Sequence, residues 1–305
     1  MEHVLLIGTY EHSWKAWIAQ NAPQHDLIVL DPLDTDHGPA ARFCLVRDGR
    51  VVRWCFYGSL NPQRAPHRVV ECLAVLLAEA RDAVVVQMFG YRPGPTLRQL
   101  SLSLASVLRP TRIVVGQGTP IDLEMWPIGP EEAQVDVAFP PVVRNAQRRA
   151  RWLKMIEDCR EHEVPIKRIS FDGARLGSGV RLDLGRLAKL GLEGTEHAEV
   201  CHKVLYLVSD LAIDERSLTA ALDDVGAERA HVVNRTLFEG LLCAFSRDSG
   251  EDFGLGFVRQ ADFRSGVLHV SCTAIPPAPV RLVRLGSLRI DRSAKEYGEI
   301  RPWEV

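Results

Sequence analysis

The sequence predicts an α/β chain: a doubly wound parallel sheet over residues 1–162, then a smaller, mainly β domain over residues 163–305. Three observations carry that expectation. In the first half, short runs that are apolar throughout alternate with helical patterns, as parallel strands covered on both faces require. Beyond Ile166 the apolar runs shorten, and Gly and Asp punctuate them closely, as tight connections between short strands demand. Between the two lies a strongly charged helical stretch, Val143–Glu161, followed by Pro165.

The elements follow in order. His3–Gly8 (HVLLIG) reads as a buried strand, Ser13–Gln20 as a helix and Asp26–Asp31 (DLIVLD) as a second buried strand. Arg42–Arg47 and Val51–Tyr57 flank Asp48-Gly49, a pair that tolerates positive φ at both centres of a two-residue turn, so a hairpin is predicted. Pro66–Ala80 carries apolar residues at helical spacing, Ala83–Gln87 is a third strand, Thr96–Leu108 a helix and Thr111–Gly116 a fourth strand. In the second half, Lys203–Val208, His231–Val233, Leu237–Phe245, Phe253–Arg259, Val267–Cys272 and Val280–Ile290 are the strand candidates.

Composition narrows the function classes. No stretch approaches the roughly 18 consecutive apolar residues of a membrane span, and no basic residue precedes the short N-terminal apolar run, so a cytoplasmic protein with no membrane partner is expected. The seven cysteines are scattered, odd in number and free of any CxxC pair. That argues against a disulfide framework and a cysteine zinc site, and no metal is expected. His197, Glu199 and Cys201 would share one face of a strand, but no P-C-x-x-C follows, so the deaminase zinc signature fails. The net charge of −2 excludes a uniformly basic nucleic-acid binder. Only six of the 37 basic residues are lysines, and arginine's planar fork suits phosphate.

The loop after the first strand is the informative one. A strand, a glycine and then a helix is where backbone N–H groups can gather around a phosphate. The phosphate-loop pattern G-x-x-x-x-G-K-[ST] adds a lysine for the β and γ phosphates and a hydroxyl for magnesium. Here the segment is Gly8-Thr9-Tyr10-Glu11-His12-Ser13-Trp14-Lys15. Ser13 takes the second glycine position, Trp14 the lysine position and Lys15 the hydroxyl position. Trp14 replaces a cation with a ring, Glu11 adds negative charge, and Lys15 lies one residue late, about 100° around a helix.

Several stretches together resemble the P-loop polynucleotide 5′-hydroxyl kinase family, which includes the kinase-like subunit of eukaryotic mRNA 3′-end cleavage complexes. LIVLD at 27–31 with His37-Gly38-Pro39 resembles the family's strand ending in D-x-D-x-G-Q and its later glycine-proline. FYGSLNP at 56–62 looks like its F-x-G-x-x-x-P turn, and AVVVQMFGYRPGP at 83–95 is similar to its strand and D-T-x-G motif. LRPTRIVVGQG at 108–118, the arginine-rich helix at 144–152, and GLGFVRQADFRSGVLHV with LVRLGSLRID extend the resemblance along nearly the whole chain. The departures fall on chemistry. Leu33 holds the second carboxylate position unless Asp34 substitutes with a one-residue shift, and Gln87 and Met88 replace the aspartate and threonine, leaving Gly90. Family members usually carry an N-terminal β domain, whereas this chain begins at the first P-loop strand.

The resemblance implies a degenerate kinase-like protein of RNA or DNA processing that binds nucleic acid or a protein partner of a processing complex, without efficient ATP-dependent transfer and with no cofactor. The alternative is an active 5′-hydroxyl kinase using ATP and Mg, with Asp31 as base and Lys15 in an atypical loop. A further alternative is a scaffold subunit. The phosphate-binding candidates are Gly8, Ser13, Lys15, Gly90 and the lid arginines Arg144, Arg148 and Arg151, spaced i, i+4 and i+7 on one helical face. Tyr91 and Arg92, at the carboxyl edge of the third strand, are the candidates for stacking a base and touching its phosphate.

Overall fold

The structure is a computed structural model that describes residues 2–122, 124, 126–247, 249–274, 281–301 and 303–305. The chain falls into two compact units, Met1–Trp152 and Leu153–Val305. The first contains β1 (Glu2–Ile7), β2 (His12–Ser13), α1 (Lys15–Asn21), β3 (Asp26–Leu30), β4 (Arg42–Arg47), β5 (Arg50–Phe56) and α2 (Pro66–Glu79). It continues with β6 (Ala83–Met88), α3 (Pro95–Leu108), β7 (Arg112–Gly116), β8 (Glu131–Ala133), β9 (Asp136–Val137) and the start of α4 (Pro141–Asp158).

Seven strands form one mixed sheet in the order β5-β4-β3-β6-β1-β7-β8. The five from β3 to β8 run parallel, while β4 and β5 fold back as an antiparallel edge hairpin. Asp48 and Gly49 at its turn have φ of 50° and 73°, the left-handed backbone that the Asp-Gly pair tolerates. Alternation along the strands divides two cores. Leu5, Ile7, Ile28, Val84, Val86 and Ile113 pack with Val69, Leu73 and Leu76 of α2 and Leu100 and Leu104 of α3. Their neighbours Val4, Leu6, Val85 and Val114 pack instead with Trp14 and with Trp17 and Ile18 of α1. Strands that must be apolar on both faces thus explain the unbroken apolar runs of the sequence.

The second unit contains β10 (Arg160–Pro165), β11 (Ser170–Asp172), β12 (Val180–Arg181), α5 (Leu184–Ala188), β13 (Thr195–Cys201), β14 (Val204–Ser209), α6 (Glu215–Val225) and β15 (Arg229–Val233). After these come β16 (Leu241–Ser246), β17 (Asp252–Asp262), β18 (Val267–Cys272), β19 (Leu282–Ile290) and β20 (Glu296–Glu299). Its larger sheet runs β10-β18-β17-β16-β19-β11, with β20 also on β19. A separate four-stranded sheet, β12-β13-β14-β15, includes a parallel pair, β14 and β15, joined through α6. That helix lies outside the strand candidates read from sequence. It is nonetheless signalled: the Asp214 side chain accepts from the Ser217 N–H at its start, and Gly226 adopts the left-handed conformation at its end. Among the described residues no helix is long and apolar enough to cross a membrane.

Candidate functional site

The loop from Gly8 to Trp14 does not curl into an anion cradle. His12 and Ser13 are extended and pair antiparallel with Val137 and Asp136 of β9. Three of the loop's amides are committed inside the loop. Thr9 N–H donates to His12 Nδ1 at 3.2 Å, Glu11 N–H to Thr9 Oγ1 at 3.2 Å and His12 N–H to Thr9 O at 3.2 Å.

Three glycines show what fills the space above the strand ends. A Cβ built on Gly8 would lie 2.8 Å from His12 Nδ1 and 3.0 Å from Trp14 Nε1, and one on Gly116 would lie only 2.4 Å from His12 Nδ1. The imidazole therefore rests on the ends of β1 and β7. A Cβ on Gly90 would meet the Tyr10 ring at 2.4–2.7 Å, so that ring lies on the end of β6. Trp14 is 3% exposed and sits edge-on to Trp17, with ring centroids 6.0 Å apart. At the lysine position there is thus a core residue. Helix α1 has seven residues, and Trp14 at its start offers no side-chain cap.

The loop after β3 supplies the acidic side of the site. Burial pushes the Asp31 carboxyl up to about 7, and nearby Asp34 adds to that, while the Leu33 amide and Arg144 pull the other way. Asp34 Oδ2 lies 3.1 Å from His37 Nδ1, and this hydrogen bond raises the His37 pKa. Arg42, whose guanidinium is desolvated, donates to the His37 carbonyl at 2.5 Å. Lys15 is exposed and reaches Asp36 at 3.3 Å. Cys44 of β4 is 3% exposed, and burial pushes its thiol up to about 12. The ligating atoms of Asp34, His37 and Cys44 all lie within 4.8 Å of one another.

The arginines of α4 hold these loops. Arg144 Nη1 donates to Tyr10 O at 2.6 Å, and Arg151 Nε donates to Thr35 O at 2.8 Å. Arg148 lines the same cavity as Arg144. Tyr91 is only 4% exposed and packs in the core beside α2 and α3, and its N–H donates to Gly8 O at 2.7 Å. Its ring therefore lies in the core rather than at the surface where a base would stack. Arg92 is exposed, and its guanidinium lies over the Tyr10 ring at 5.0 Å from the centroid. The stacked pair at this edge is Tyr10 with Arg92.

Together these loops enclose a cavity of about 290 Å³ lined by Gly8, Ser13, Asp31, Gly90, Arg144 and their neighbours. The predicted Gly8, Ser13, Lys15, Asp31, Gly90, Arg144 and Arg148 all meet there, and Arg151 holds its acidic loop from α4. Sequence reading missed His12, Tyr10 and His37 as contributors, and weighed Asp34 only as a one-residue-shifted carboxylate. The only signal for the first two was indirect: an imidazole and a ring can rest on a strand end only where the strand ends in glycine.

The second cluster singled out in the sequence lies in the other unit. His197 Nε2 and Glu199 Oε1 are 2.7 Å apart, and Glu199 accepts from the amides of Gly177 and Gly179 at 2.9–3.1 Å. These bonds and His197 hold the Glu199 pKa down against the effect of burial, so the pair pins the turn at 177–179. Cys201 does not join them in a group of three metal donors among the described residues.

No protein-family model and no curated protein matches the chain. Several solved structures do, two of which bear on the fold. One describes the extended interface between Pcf11p and Clp1p and the basis for ATP loss in a glycine-to-arginine point mutant; it covers 94% of this chain and 75% of its own, at 10% identity and a TM-score of 0.54. The other, a wild-type Clp1p–Pcf11p complex, covers 94% and 74%, at 11% identity and a TM-score of 0.54. At such identity the likeness concerns the backbone: this mixed α/β chain has a fold similar to that of Clp1p.

Proposed function

We propose that the chain is a degenerate relative of the polynucleotide 5′-hydroxyl kinases, acting in nucleic-acid processing in the cytoplasm as a binding or scaffold subunit without efficient ATP-dependent phosphoryl transfer. Its doubly wound sheet is then of the P-loop type with the phosphate loop retired. One observation carries the reading. His12 occupies the ends of β1 and β7, and the amides of Thr9, Glu11 and His12 are already bonded within the loop. A triphosphate entering there would displace a ring and break three hydrogen bonds, with Trp14 in place of the motif lysine and Lys15 engaged with Asp36. Phosphoryl transfer rests on positioning and charge neutralisation, and loss of a single such group typically lowers the rate by roughly 10²–10³. The protein-partner half of the reading is supported by neighbours solved as complexes with Pcf11p. RNA or DNA 5′ ends are the proposed ligands, with the exposed Arg92 beside Tyr10 as the contact.

An active kinase is the second reading, and Asp31 favours it: a carboxyl held near neutrality in a cavity suits a general base. Lys15 fits it less well, since its ammonium is exposed and engaged with Asp36. Transfer of labelled phosphate from Mg-ATP to a 5′-hydroxyl oligonucleotide, RNA and DNA in parallel, separates the two. No product above the blank is expected. Product that disappears in Asp31→Asn would establish the kinase instead.

A further inference from the structure

Among the described residues one set of three metal-type donors comes together, and it comprises three different donor atoms: a carboxylate oxygen of Asp34, an imidazole nitrogen of His37 and the sulfur of Cys44. We propose that Asp34, His37 and Cys44 bind a single zinc-class divalent cation, whose fourth position opens on the neighbouring cavity. The inference is independent of the nucleic-acid reading.

Geometry comes first. Asp34 Oδ2 and His37 Nδ1 stand 3.1 Å apart. Two donors at the usual zinc distances in a tetrahedral site stand about 3.3 Å apart, and a thiolate stands about 3.6 Å from either. All three ligating atoms lie within 4.8 Å of one another, close to the spacing a tetrahedral ion requires. The backbone is also held where it is needed. Asp34 N–H donates to Asp31 O at 3.0 Å, Ala41 N–H to Pro32 O at 2.8 Å, and Arg42 and Arg151 grip the carbonyls of His37 and Thr35.

Donor chemistry selects the ion. A sulfur and an imidazole suit zinc, whereas magnesium and calcium take oxygen. Charge is the apparent obstacle, because Arg42 lies beside His37 and Lys15 and Arg151 are near. A dication bound by one carboxylate, one thiolate and one neutral imidazole is neutral overall, so these cations face no added positive charge. Asp36 already engages Lys15. Binding replaces the proton shared by Asp34 and His37, and the buried Cys44 thiol gives up its proton to solvent as the metal–sulfur bond forms. Asp34 and His37 line the cavity, which gives the ion a path and a water ligand for the fourth position.

The test uses the full chain, stripped with a chelator and titrated with Co²⁺ and then Zn²⁺. The expected result is one cobalt per chain with a thiolate-to-metal charge-transfer band, displaced by one zinc. Cys44→Ala abolishes the band, and His37→Ala and Asp34→Asn weaken binding at least tenfold while circular dichroism stays unchanged. Because Cys44 is buried and its variant could unfold the chain, the loop variants carry the test independently. Absence of the band, or binding indifferent to His37→Ala, overturns the proposal.

Discussion

At the scale of single residues, the site is governed by which side chain sits on which glycine. His12 on Gly8 and Gly116, and Tyr10 on Gly90, use the bare strand ends that other folds of this layout leave to a ligand. Asp31 is the residue whose energetics are most readily measured. Its folded pKa is raised above 3.8 to about 7, so the protonated form is favoured by folding. The stability it contributes is fully present below about pH 4 and is lost as pH rises through about 7. Asn mimics the neutral acid and can still accept from Leu33 N–H. In chelated buffer, Asp31→Asn is therefore expected to match the parent in melting temperature near pH 4 and to exceed it by a margin that grows up to about pH 8. A constant difference across that range would mean that burial does not hold the carboxyl neutral. Much of this site was legible: Gly8, Ser13, Lys15, Asp31 and Gly90, singled out from the sequence, line one cavity. His12 was not, because its role depends on Gly116, which is remote in sequence and adjacent only in the sheet.

At the scale of elements, α4 is the strut of the site. Its charge pattern reads as a lid reaching for phosphate, yet Arg144 and Arg151 end on the carbonyls of Tyr10 and Thr35. Removing such a bond to a charged donor is worth roughly 1–3 kcal/mol. Arg144→Ala is expected to raise amide hydrogen exchange in residues 9–12, and Arg151→Ala in residues 34–37, each leaving the other loop protected. Exchange unchanged in both would mean that the arginines are solvated rather than structural. The longer strands and helices of the first unit were legible because each carries a clear period and a Gly or Pro boundary, whereas β2, β8 and β9, of two or three residues each, are too short to carry one. The mixed architecture of the second unit was less so: α6 alternates Leu218, Ala221 and Leu222 with charged residues over only eleven positions, and the parallel β14–β15 pair it joins leaves no periodic mark.

At the scale of the whole molecule, two units with separate cores form a chain that matches the Clp1p fold over 94% of its length while sharing 10% identity. Backbone topology tolerates wholesale replacement of side chains so long as both faces of the sheet stay apolar. A nucleotide site does not, because its chemistry rests on a few positions. Under the proposed function, this frame persists while the loop after β1 is closed from within by His12. Isothermal titration of the metal-free chain with Mg-ATP tests it most directly. No saturable heat is expected up to about 1 mM nucleotide, a limit near −4 kcal/mol. A one-site isotherm in the micromolar range, abolished by Arg144→Ala or Asp31→Asn, would contradict it.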